Sequence, residues 1–331
     1  MRRREFLRTA LIGGGVSALG SAPASAAEPP PETTRLRLFK WRSLCVTPQF
    51  VAEDLLRAEG FTDIQYVQTE TGGGSERALV GGQLDINSQY SAPLIVRVDA
   101  GEPVVFLSGL HVGCFELFAT EGIRSVRDLK GKTIAIQELG SVQHVFIASM
   151  VAYVGLDPRT DIKFVTPPPA EAKRLLAAGK VDAFLGFPPD PQELRAAGIG
   201  HVVLNSTLDR PWSQYFCCMI AANRDFVRKH PVATKRALRA LLKANAVCAL
   251  EPERAARMTV ERGFAERYDA TLETLKSIPY ARWRDYDPED TLRFYALRLR
   301  EAGMIKSTPQ RILAQGTDWR FLHELKKELK G

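Results

Sequence analysis

One stretch of this sequence occurs twice, and the repeat constrains the fold more than any other feature. The two copies, residues 79–93 and 176–190, align without a gap. Their equivalent positions are Gly82 and Gly179, Asp85 and Asp182, and Tyr90 and Phe187. Each copy ends a helical segment at Gly, enters a short apolar strand, and leaves it through an aromatic residue and Pro. The repeat predicts two similarly built α/β lobes whose loops, at the carboxyl ends of parallel strands, face each other across a cleft.

Length and charge narrow the class of protein. A chain of 331 residues is long enough for two domains of ordinary size. No apolar run beyond the N-terminus approaches the roughly 18 residues that span a bilayer. The formal charge of +7 falls to +4 without residues 1–26, because that segment carries four arginines and one glutamate. This charge is too small for a nucleic-acid surface, and no basic run with interleaved aromatic residues appears, so no nucleic-acid partner is predicted.

The first 26 residues have the composition of a targeting segment. Arg3 and Arg4 precede Phe-Leu, a mild apolar stretch runs over residues 9–19, and Ala24-Ser25-Ala26 supplies small residues for cleavage. The pattern resembles the twin-arginine export signal, whose passengers cross the membrane already folded. The alternative is a basic helix start on a cytoplasmic protein. No Cys follows the apolar stretch, so we expect a periplasmic protein without a lipid anchor.

Neither cysteine nor histidine shows the local spacing of a metal site. The cysteines are Cys45, Cys114, Cys217, Cys218 and Cys248. No CxxC pair occurs, and an odd count leaves at least one thiol unpaired. Five scattered histidines form no HExxH or comparable pair. We therefore expect buried, apolar thiols, and neither a metal nor a cofactor.

The remaining pattern places alternating strands and helices before a helical C-terminal region. The predicted strands lie near 35–41, 64–67, 104–107, 115–120, 133–136, 162–165, 201–204 and 215–221. The predicted helices lie near 48–58, 91–100, 142–154, 171–178, 231–250, 252–261, 269–276, 288–301 and 319–330, with a short one from 190 or 191. Two chain crossings, near 119 and 214, would form a hinge.

Five short motifs, in their order, carry a family resemblance. They are Pro48-Gln49-Phe50-Val51-Ala52, Gly82-Gln83-Leu84-Asp85-Ile86, Ala100-Gly101-Glu102-Pro103-Val104-Val105, Asp128-Leu129-Lys130-Gly131-Lys132 and Gly155-Leu156-Asp157-Pro158. Together with the export signal and the loop at Trp41, they resemble the nitrate/sulfonate/taurine class of periplasmic solute-binding proteins of ABC transporters. That class is similar to the thiamine-pyrimidine synthase (no-message-in-thiamine) proteins. The resemblance covers residues 35–225 well, and the C-terminal region matches mainly in its helical type.

The resemblance implies a type II periplasmic-binding-protein fold with two α/β lobes, two hinge crossings and a helical C-terminal region. The expected division is a signal peptide (1–26), a tether (27–34), lobe I (35–118 and 215–331) and lobe II (119–214). The family implies a monomer that binds a small molecule in the cleft and delivers it to an ABC permease in the inner membrane.

Several residues are candidates for ligand contact in the first lobe. Trp41 closes the first strand and either stacks on a planar ligand or packs in the core. Gly73, in the triple-glycine loop, either lets backbone N–H groups approach a ligand or forms a plain turn. Ser88, Tyr90 and Ser91 lie where the first repeat copy leaves its strand.

The second copy offers Phe187 and Asp190 at the matching positions. Tyr90 facing Phe187 across the cleft would form an aromatic clamp; the alternative is packing inside each lobe.

Four further residues could face the cleft. Ser141 and His144 lie at a helix start, which favours a carboxylate, sulfonate or phosphate, although Ser141 could simply cap the helix. His144 faces either the cleft or the core. Glu116 meets a ligand amine or pairs locally, and Tyr215 lies at the return crossing.

The favoured hypothesis is a binding protein that closes around its ligand and makes or breaks no bond. One alternative is a pyrimidine-synthase-type enzyme, but Cys217-Cys218 does not reproduce the cysteine-rich signature of those relatives. Another is the ligand-binding subunit of a periplasmic sensor. The aromatic rims and the helix start favour a planar or partly apolar anion: an aromatic carboxylate, a sulfonate or a pyrimidine.

Overall fold

Three sheets organise the computed structural model, which describes residues 28–68 and 74–329. The strands are β1 (Arg35–Phe39), β2 (Asp63–Val67), β3 (Ile86–Tyr90), β4 (Val104–Val112), β5 (Glu116–Ala119), β6 (Thr133–Ala135), β7 (Lys163–Val165), β8 (Ala183–Gly186), β9 (His201–Asn205) and β10 (Phe216–Asn223). The sheet orders are β1-β2, β3-β10-β4 and β7-β6-β8-β5-β9.

Helices alternate with the strands and then fill the C-terminal third of the chain. They are α1 (Thr47–Val51), α2 (Glu53–Ala58), α3 (Gly74–Val80), α4 (Ser91–Asp99), α5 (Val142–Tyr153), α6 (Pro169–Ala177), α7 (Asp190–Ala196), α8 (Arg224–Lys229), α9 (Pro231–Leu250), α10 (Pro252–Glu261), α11 (Tyr268–Ser277), α12 (Pro288–Glu301), α13 (Pro309–Gly316) and α14 (Arg320–Glu328). Prolines begin α9, α10, α12 and α13, where the missing N–H group costs no helical hydrogen bond. The predicted bounds of α9, α10 and α12 are confirmed.

The repeated aspartate has the same structural role in both copies. Asp85 Oδ2 accepts a hydrogen bond from the backbone N–H of Arg37 in β1 over 2.7 Å, and Asp182 Oδ2 accepts one from Thr133 in β6 over 2.8 Å. The backbone N–H of each aspartate donates back to the carbonyl of the same partner residue. Asp85 also forms an ion pair with the Arg37 guanidinium at 2.6 Å. Each aspartate therefore joins the strand of its repeat copy to a neighbouring strand.

These links reveal two equivalent five-strand arrangements. The first runs β2-β1-β3-β10-β4, with β1 and β3 joined through the aspartate, and the second runs β7-β6-β8-β5-β9. The expectation of parallel strands holds for β8, which is parallel to β6. β8 also pairs with the antiparallel β5, as its counterpart β3 pairs with the antiparallel β10. On its other side β3 contacts β1 through Asp85 without forming a continuous ladder.

The chain passes between the two arrangements twice. The first crossing segment, residues 113–115, joins β4 to β5, and the second, residues 206–215, joins β9 to β10. Cys114 N–H donates to Thr207 Oγ1 over 3.2 Å and Phe115 N–H to Ser206 Oγ over 2.9 Å, so the crossings touch. A Cβ on Gly113 would lie 2.1 Å from Thr207 Oγ1, which makes glycine necessary there.

An aromatic core lies between the two arrangements. The ring of Phe146, on α5, lies 5.0 Å from the rings of Tyr90 and Phe115 and 5.1 Å from that of Trp212. Tyr295, on α12, packs edge-on against Tyr90 at 5.4 Å. This core therefore connects β3, both crossing segments, α5 and the C-terminal helices.

The segment before β1 is held against α9. The carboxylate of Glu32 accepts hydrogen bonds from Val232 N–H and Ala233 N–H, both over 2.9 Å, at the start of that helix. Glu28 pairs with Arg239 at 2.8 Å, and this hydrogen bond lowers the pKa of Glu28. Residues 1–26, predicted to be a signal peptide, lie outside the described residues. Across the described part of the chain, no helix is both long and apolar enough to span a membrane.

Candidate ligand-binding site

A buried polar network lies at the end of the first repeat copy. Trp41 Nε1 donates to Asn87 Oδ1 over 3.0 Å, and Asn87 Nδ2 donates to Gln89 Oε1 over 2.6 Å. Gln89 Nε2 donates to Glu76 Oε1 over 2.9 Å, and Ser75 Oγ donates to Gln89 Oε1 over 2.7 Å. The network therefore joins the loop after β1, the strand β3 and the start of α3, immediately after the glycine loop.

Sequence reasoning identified Trp41 in this network and missed its other members. The available signal was β3 itself, in which three consecutive polar residues, Asn87-Ser88-Gln89, lie in a strand that is buried throughout. Buried polar side chains require partners, so such a run indicates a polar site within the fold. Gly73 lies outside the described residues.

The other face of β3 carries Ser88 and Tyr90, and Ser91 begins α4. The three hydroxyl oxygens are buried and have no hydrogen-bond partner among the residues of known placement. Burial raises the pKa of Tyr90 well above its ordinary value, so the phenol is neutral. These hydroxyls retain unused hydrogen-bonding capacity, although the Tyr90 ring lies within the aromatic core.

The second repeat copy supplies an aromatic residue and a paired carboxylate. Phe187 is half-buried, and its ring lies 5.7 Å from Phe115; Tyr90 lies 5.3 Å from the same ring. The two residues expected to form a clamp thus share Phe115 as a neighbour. Asp190 accepts a hydrogen bond from Lys173 over 2.9 Å, but burial outweighs this cation and raises the pKa of Asp190.

Glu116 and Tyr215 have neighbours within the chain. Glu116 Oε2 pairs with Arg195 Nη1 at 2.5 Å, and Arg195 Nη2 also pairs with Glu273 at 2.9 Å. The ring of Tyr215 stacks on Phe294, with centroids 4.0 Å apart and planes at 10°. For Glu116 the structure has the local pair, the second of the two alternatives.

Ser141 and His144 form a capped helix start. Ser141 Oγ accepts the backbone N–H of His144 over 3.4 Å, and His144 Nδ1 accepts Gly140 N–H over 2.9 Å. Burial lowers the pKa of His144, so the imidazole is neutral at pH 7 and carries its proton on Nε2. Ser141 therefore has the capping geometry, and His144 contributes no positive charge.

Three contacts, here named the closing contacts, join the second repeat loop and α7 to the turn after β1 and to α11. Leu44 N–H, in the turn after β1, donates to Pro188 O over 3.2 Å. Gln192 Nε2, on α7, donates to Thr274 Oγ1 on α11 over 3.1 Å. The third contact is the ion pair between Arg195 on α7 and Glu273 on α11. The structure therefore has the second repeat loop and α7 in contact with the turn after β1 and with α11.

We expect removal of the side-chain closing contacts to favour separation of the loops. The double change Gln192→Ala and Glu273→Gln removes one neutral hydrogen bond and one exposed ion pair, together about 1–1.5 kcal/mol of closed-state stabilisation. Small-angle scattering should record a larger radius of gyration than for the unaltered chain. The matched control is Glu251→Gln, which removes an exposed ion pair with Arg254 elsewhere. An equal change in both variants would contradict the role given to these contacts.

Two cavities of about 300 and 500 Å³ lie away from the predicted site. The first is lined by residues that include Arg37, Lys229 and His230, and the second by residues that include Arg224 and Arg311. Neither lining includes a predicted ligand-contacting residue.

Fold and sequence together place this chain in a family. The model of the NMT1-like family matches residues 29–262, and the chain belongs to that family. The match extends from the segment before β1, across all strands, to α10.

Two characterised relatives resemble parts of the chain. It is 25% identical to the taurine-binding periplasmic protein of Escherichia coli K12 over 190 aligned residues. The alignment covers 56% of this chain and 57% of that protein. The chain is 30% identical over 113 residues to the bicarbonate-binding protein CmpA of Synechococcus elongatus, covering 34% of this chain and 25% of that protein. In both cases the match spans less than two thirds of the relative.

Solved structures show the fold. The periplasmic nitrate-binding protein NrtA from Synechocystis PCC 6803 superposes with a TM-score of 0.74 at 16% identity, over 91% of this chain and 90% of that one. The alkanesulfonate-binding protein SsuA from Xanthomonas axonopodis pv. citri superposes with a TM-score of 0.68 at 20% identity, over 89% of this chain and 100% of that one. The predicted periplasmic-binding-protein fold with a helical C-terminal region is confirmed.

Proposed function

We propose that this chain is the periplasmic solute-binding subunit of an ABC importer. It captures a small organic molecule between its two lobes and presents the closed, loaded form to a permease in the inner membrane. It acts as a monomer and catalyses no reaction. The observation that carries the proposal is the set of closing contacts, in which the second repeat loop and α7 touch the turn after β1 and α11, because a binding protein of this kind encloses its ligand at that place.

The proposed lobes follow the two five-strand arrangements. Residues 1–26 serve as a twin-arginine signal and residues 27–34 connect it to the body. Since β5 pairs with β8 and β9, we place the first crossing at residues 113–115 instead of near 119. The second crossing is residues 206–215, which include the predicted position near 214. Opening and closing then occur about two short segments that touch each other, as in hinged domain pairs.

The proposed ligand contacts combine the predicted residues with the buried network. The predicted set is Trp41, Gly73, Ser88, Tyr90, Ser91, Glu116, Ser141, His144, Phe187, Asp190 and Tyr215. To these we add Ser75, Glu76, Asn87 and Gln89, which lie beside the glycine loop. Trp41 supplies a flat apolar surface, while the carboxylate and the carboxamides supply fixed donors and acceptors.

This chemistry favours a planar organic ligand. Carboxamides bind donors and acceptors in one plane, and an indole ring stacks on a flat molecule. The carboxylate of Glu76 disfavours a strongly charged inorganic anion, since like charges repel at short range. A pyrimidine or an aromatic carboxylate suits the site better than nitrate. The taurine- and bicarbonate-binding relatives, and the nitrate- and alkanesulfonate-binding proteins of the same fold, support a small-molecule ligand in general.

Thermal unfolding against a panel of pyrimidines, aromatic carboxylates and sulfonates tests the proposal. A compound at 100 times its dissociation constant adds about 2.7 kcal/mol of stability when it binds only the folded form. We expect Asn87→Ala to remove this shift, because it breaks the network between Trp41 and Gln89. The matched control is Asn245→Ala, an equally buried asparagine that donates to Leu110 O instead. If no compound shifts the chain after removal of any co-purified ligand, or if both variants lose the shift, the proposed site is wrong.

A further inference from the structure

Four potential metal ligands converge where the crossings meet the turn after β1. The Sγ atoms of Cys45, Cys114 and Cys218 and one ring nitrogen of His111 all lie within 4.8 Å of one another. The three thiols are 3%, 6% and 3% exposed, and the imidazole is 1% exposed. None of these three cysteines forms a disulfide. The cluster is therefore a closed, soft-ligand environment without access for solvent.

The imidazole has a nitrogen to spare. His111 Nδ1 lies 3.3 Å from the carbonyl of Val112, and Nε2 is buried without a hydrogen-bond partner among the residues whose positions are described. If Nδ1 carries the proton and donates to the carbonyl, Nε2 presents a lone pair. Metal-binding histidines are oriented in this way by a backbone carbonyl on the other nitrogen. A buried imidazole nitrogen without a partner otherwise costs free energy, so its position requires an explanation.

The backbone at one ligand is also unusual. Cys114 has φ of 114°, and it is the one non-glycine residue in the ranges 28–68 and 74–329 with positive φ. Such a conformation is unfavourable for a residue with a Cβ, and it persists where the surroundings hold it. Here the hydrogen bond from Cys114 N–H to Thr207 fixes the turn. The strained turn directs the thiol towards the other three ligands.

From this convergence we propose that Cys45, His111, Cys114 and Cys218 form a closed tetrahedral site for Zn²⁺. Three thiolates and one imidazole are among the ligand sets of structural zinc sites. At Zn–S distances near 2.3 Å, the sulfur atoms of a tetrahedron lie about 3.8 Å apart. The observed ligand atoms need to approach one another by about 1 Å or less to reach that geometry. Each thiol that binds releases its proton to solvent, so zinc uptake releases up to three protons per chain.

The position of the site gives it a structural consequence. Cys114 belongs to the first crossing segment, Cys218 lies on β10 directly after the second, and Cys45 belongs to the turn whose neighbour Leu44 contacts the second repeat loop. Zinc would tie these three segments together at the hinge. Tyr280 also donates to Cys45 O over 2.8 Å, which fixes this turn from the C-terminal side. If the chain is exported folded, as its signal predicts, the thiols can bind zinc in the reducing cytoplasm first.

Adjacent cysteines on β10 provide the decisive comparison. Cys217 is as buried as Cys218, and its Sγ lies 3.6 Å from Cys114 Sγ, but it is not among the four converging ligands. We expect the full exported chain to take up one Zn²⁺ per molecule. Cys218→Ser should weaken zinc binding by more than about 100-fold. The reason is that loss of a residue that only hydrogen-bonds to a metal ligand already lowers metal affinity by about 10–100-fold. Cys217→Ser should bind zinc as the unaltered chain does.

Cobalt substitution gives a readout that does not depend on stability. Co²⁺ in a site with three thiolates should show intense visible bands and sulfur-to-cobalt charge-transfer absorption. Both should survive Cys217→Ser and diminish in Cys218→Ser and His111→Ala. If a substituted chain fails to fold, X-ray absorption on the unaltered zinc protein still counts three sulfur neighbours and one nitrogen.

Three outcomes would overturn the assignment. The first is a purified chain that binds no zinc when all five thiols are reduced. The second is zinc binding that depends on Cys217 and not on Cys218. The third is a Cys114–Cys217 disulfide in the protein isolated from the periplasm, because the oxidised Cys114 sulfur is not available to the metal. None of these results bears on ligand capture by the polar network, which the thermal panel measures separately.

Discussion

Asp85→Ala is expected to lower the free energy of unfolding by about 3 kcal/mol, and Asp182→Ala by about 1 kcal/mol. Both changes remove the acceptor of a strand backbone N–H group, and in that respect the two aspartates are equivalent. They differ in burial, since the side chain of Asp85 is 4% exposed and that of Asp182 is 33% exposed. Loss of Asp85 also leaves the Arg37 guanidinium without its ion-pair partner. Water reaches the position of Asp182 and can accept the hydrogen bond from Thr133 N–H after the carboxylate is removed.

Urea unfolding of both variants measures the difference, with the slope of the transition checked for constancy. Asp85→Asn is the conservative control, because it keeps an oxygen acceptor for Arg37 N–H and removes only the charge. It should fall between the unaltered chain and Asp85→Ala. Equal losses for the two alanine variants would show that burial does not decide the contribution of the repeated aspartate.

Phe146→Ala should destabilise the chain by about 3–5 kcal/mol, the range for loss of a buried aromatic ring. Phe146 is fully buried and packs against the rings of Tyr90, Phe115, Trp212 and Tyr295. The ring therefore supports both crossing segments and the contact between α5 and α12. Its loss should loosen that junction specifically, in addition to lowering global stability.

Amide hydrogen exchange separates the local effect from the global one. Phe118→Ala is the matched control, because Phe118 is 1% exposed and belongs to a separate cluster with Leu176, Phe184 and Leu194. In Phe146→Ala, exchange should accelerate most in α12 and the crossing segments; in Phe118→Ala it should accelerate most in β8 and α6. The same exchange pattern in both variants would refute the idea that Phe146 holds the two arrangements together.

Much of the secondary structure followed from local signals. Proline at the first position and helical spacing predict the bounds of α9, α10 and α12. The helix expected over 48–58 is divided at Ala52 into α1 and α2. β4 is longer than the expected 104–107 because Ser108, Gly109 and His111 interrupt the apolar run although they lie in the strand. The sequence pattern does not predict α13, because its residues are polar or small apart from Pro309, Ile312 and Leu313 and give no apolar periodicity.

The candidate site was harder to predict because it depends on contacts between distant segments. The first repeat copy directed attention to Tyr90, whereas its neighbours Asn87 and Gln89 carry the hydrogen-bond network. The cysteine cluster shows the same limitation. Local spacing shows no metal motif and predicts no metal, yet the fold brings Cys45 and Cys218 to His111 and Cys114 from distant parts of the sequence. Only the strand order, which sequence periodicity does not specify, creates that proximity.

The strand order also bears on how the chain folds during synthesis. All strands of the sheet β7-β6-β8-β5-β9 come from residues 116–205, an uninterrupted stretch. The sheet β3-β10-β4, by contrast, places the late strand β10 between two strands made more than 100 residues earlier. β3 and β4 therefore lack their central partner until residues 216–223 have been synthesised. All strands of the other sheet have been synthesised by residue 205. The nascent protein has one lobe able to assemble early, and a second whose exposed strand edges depend on timely completion of the chain.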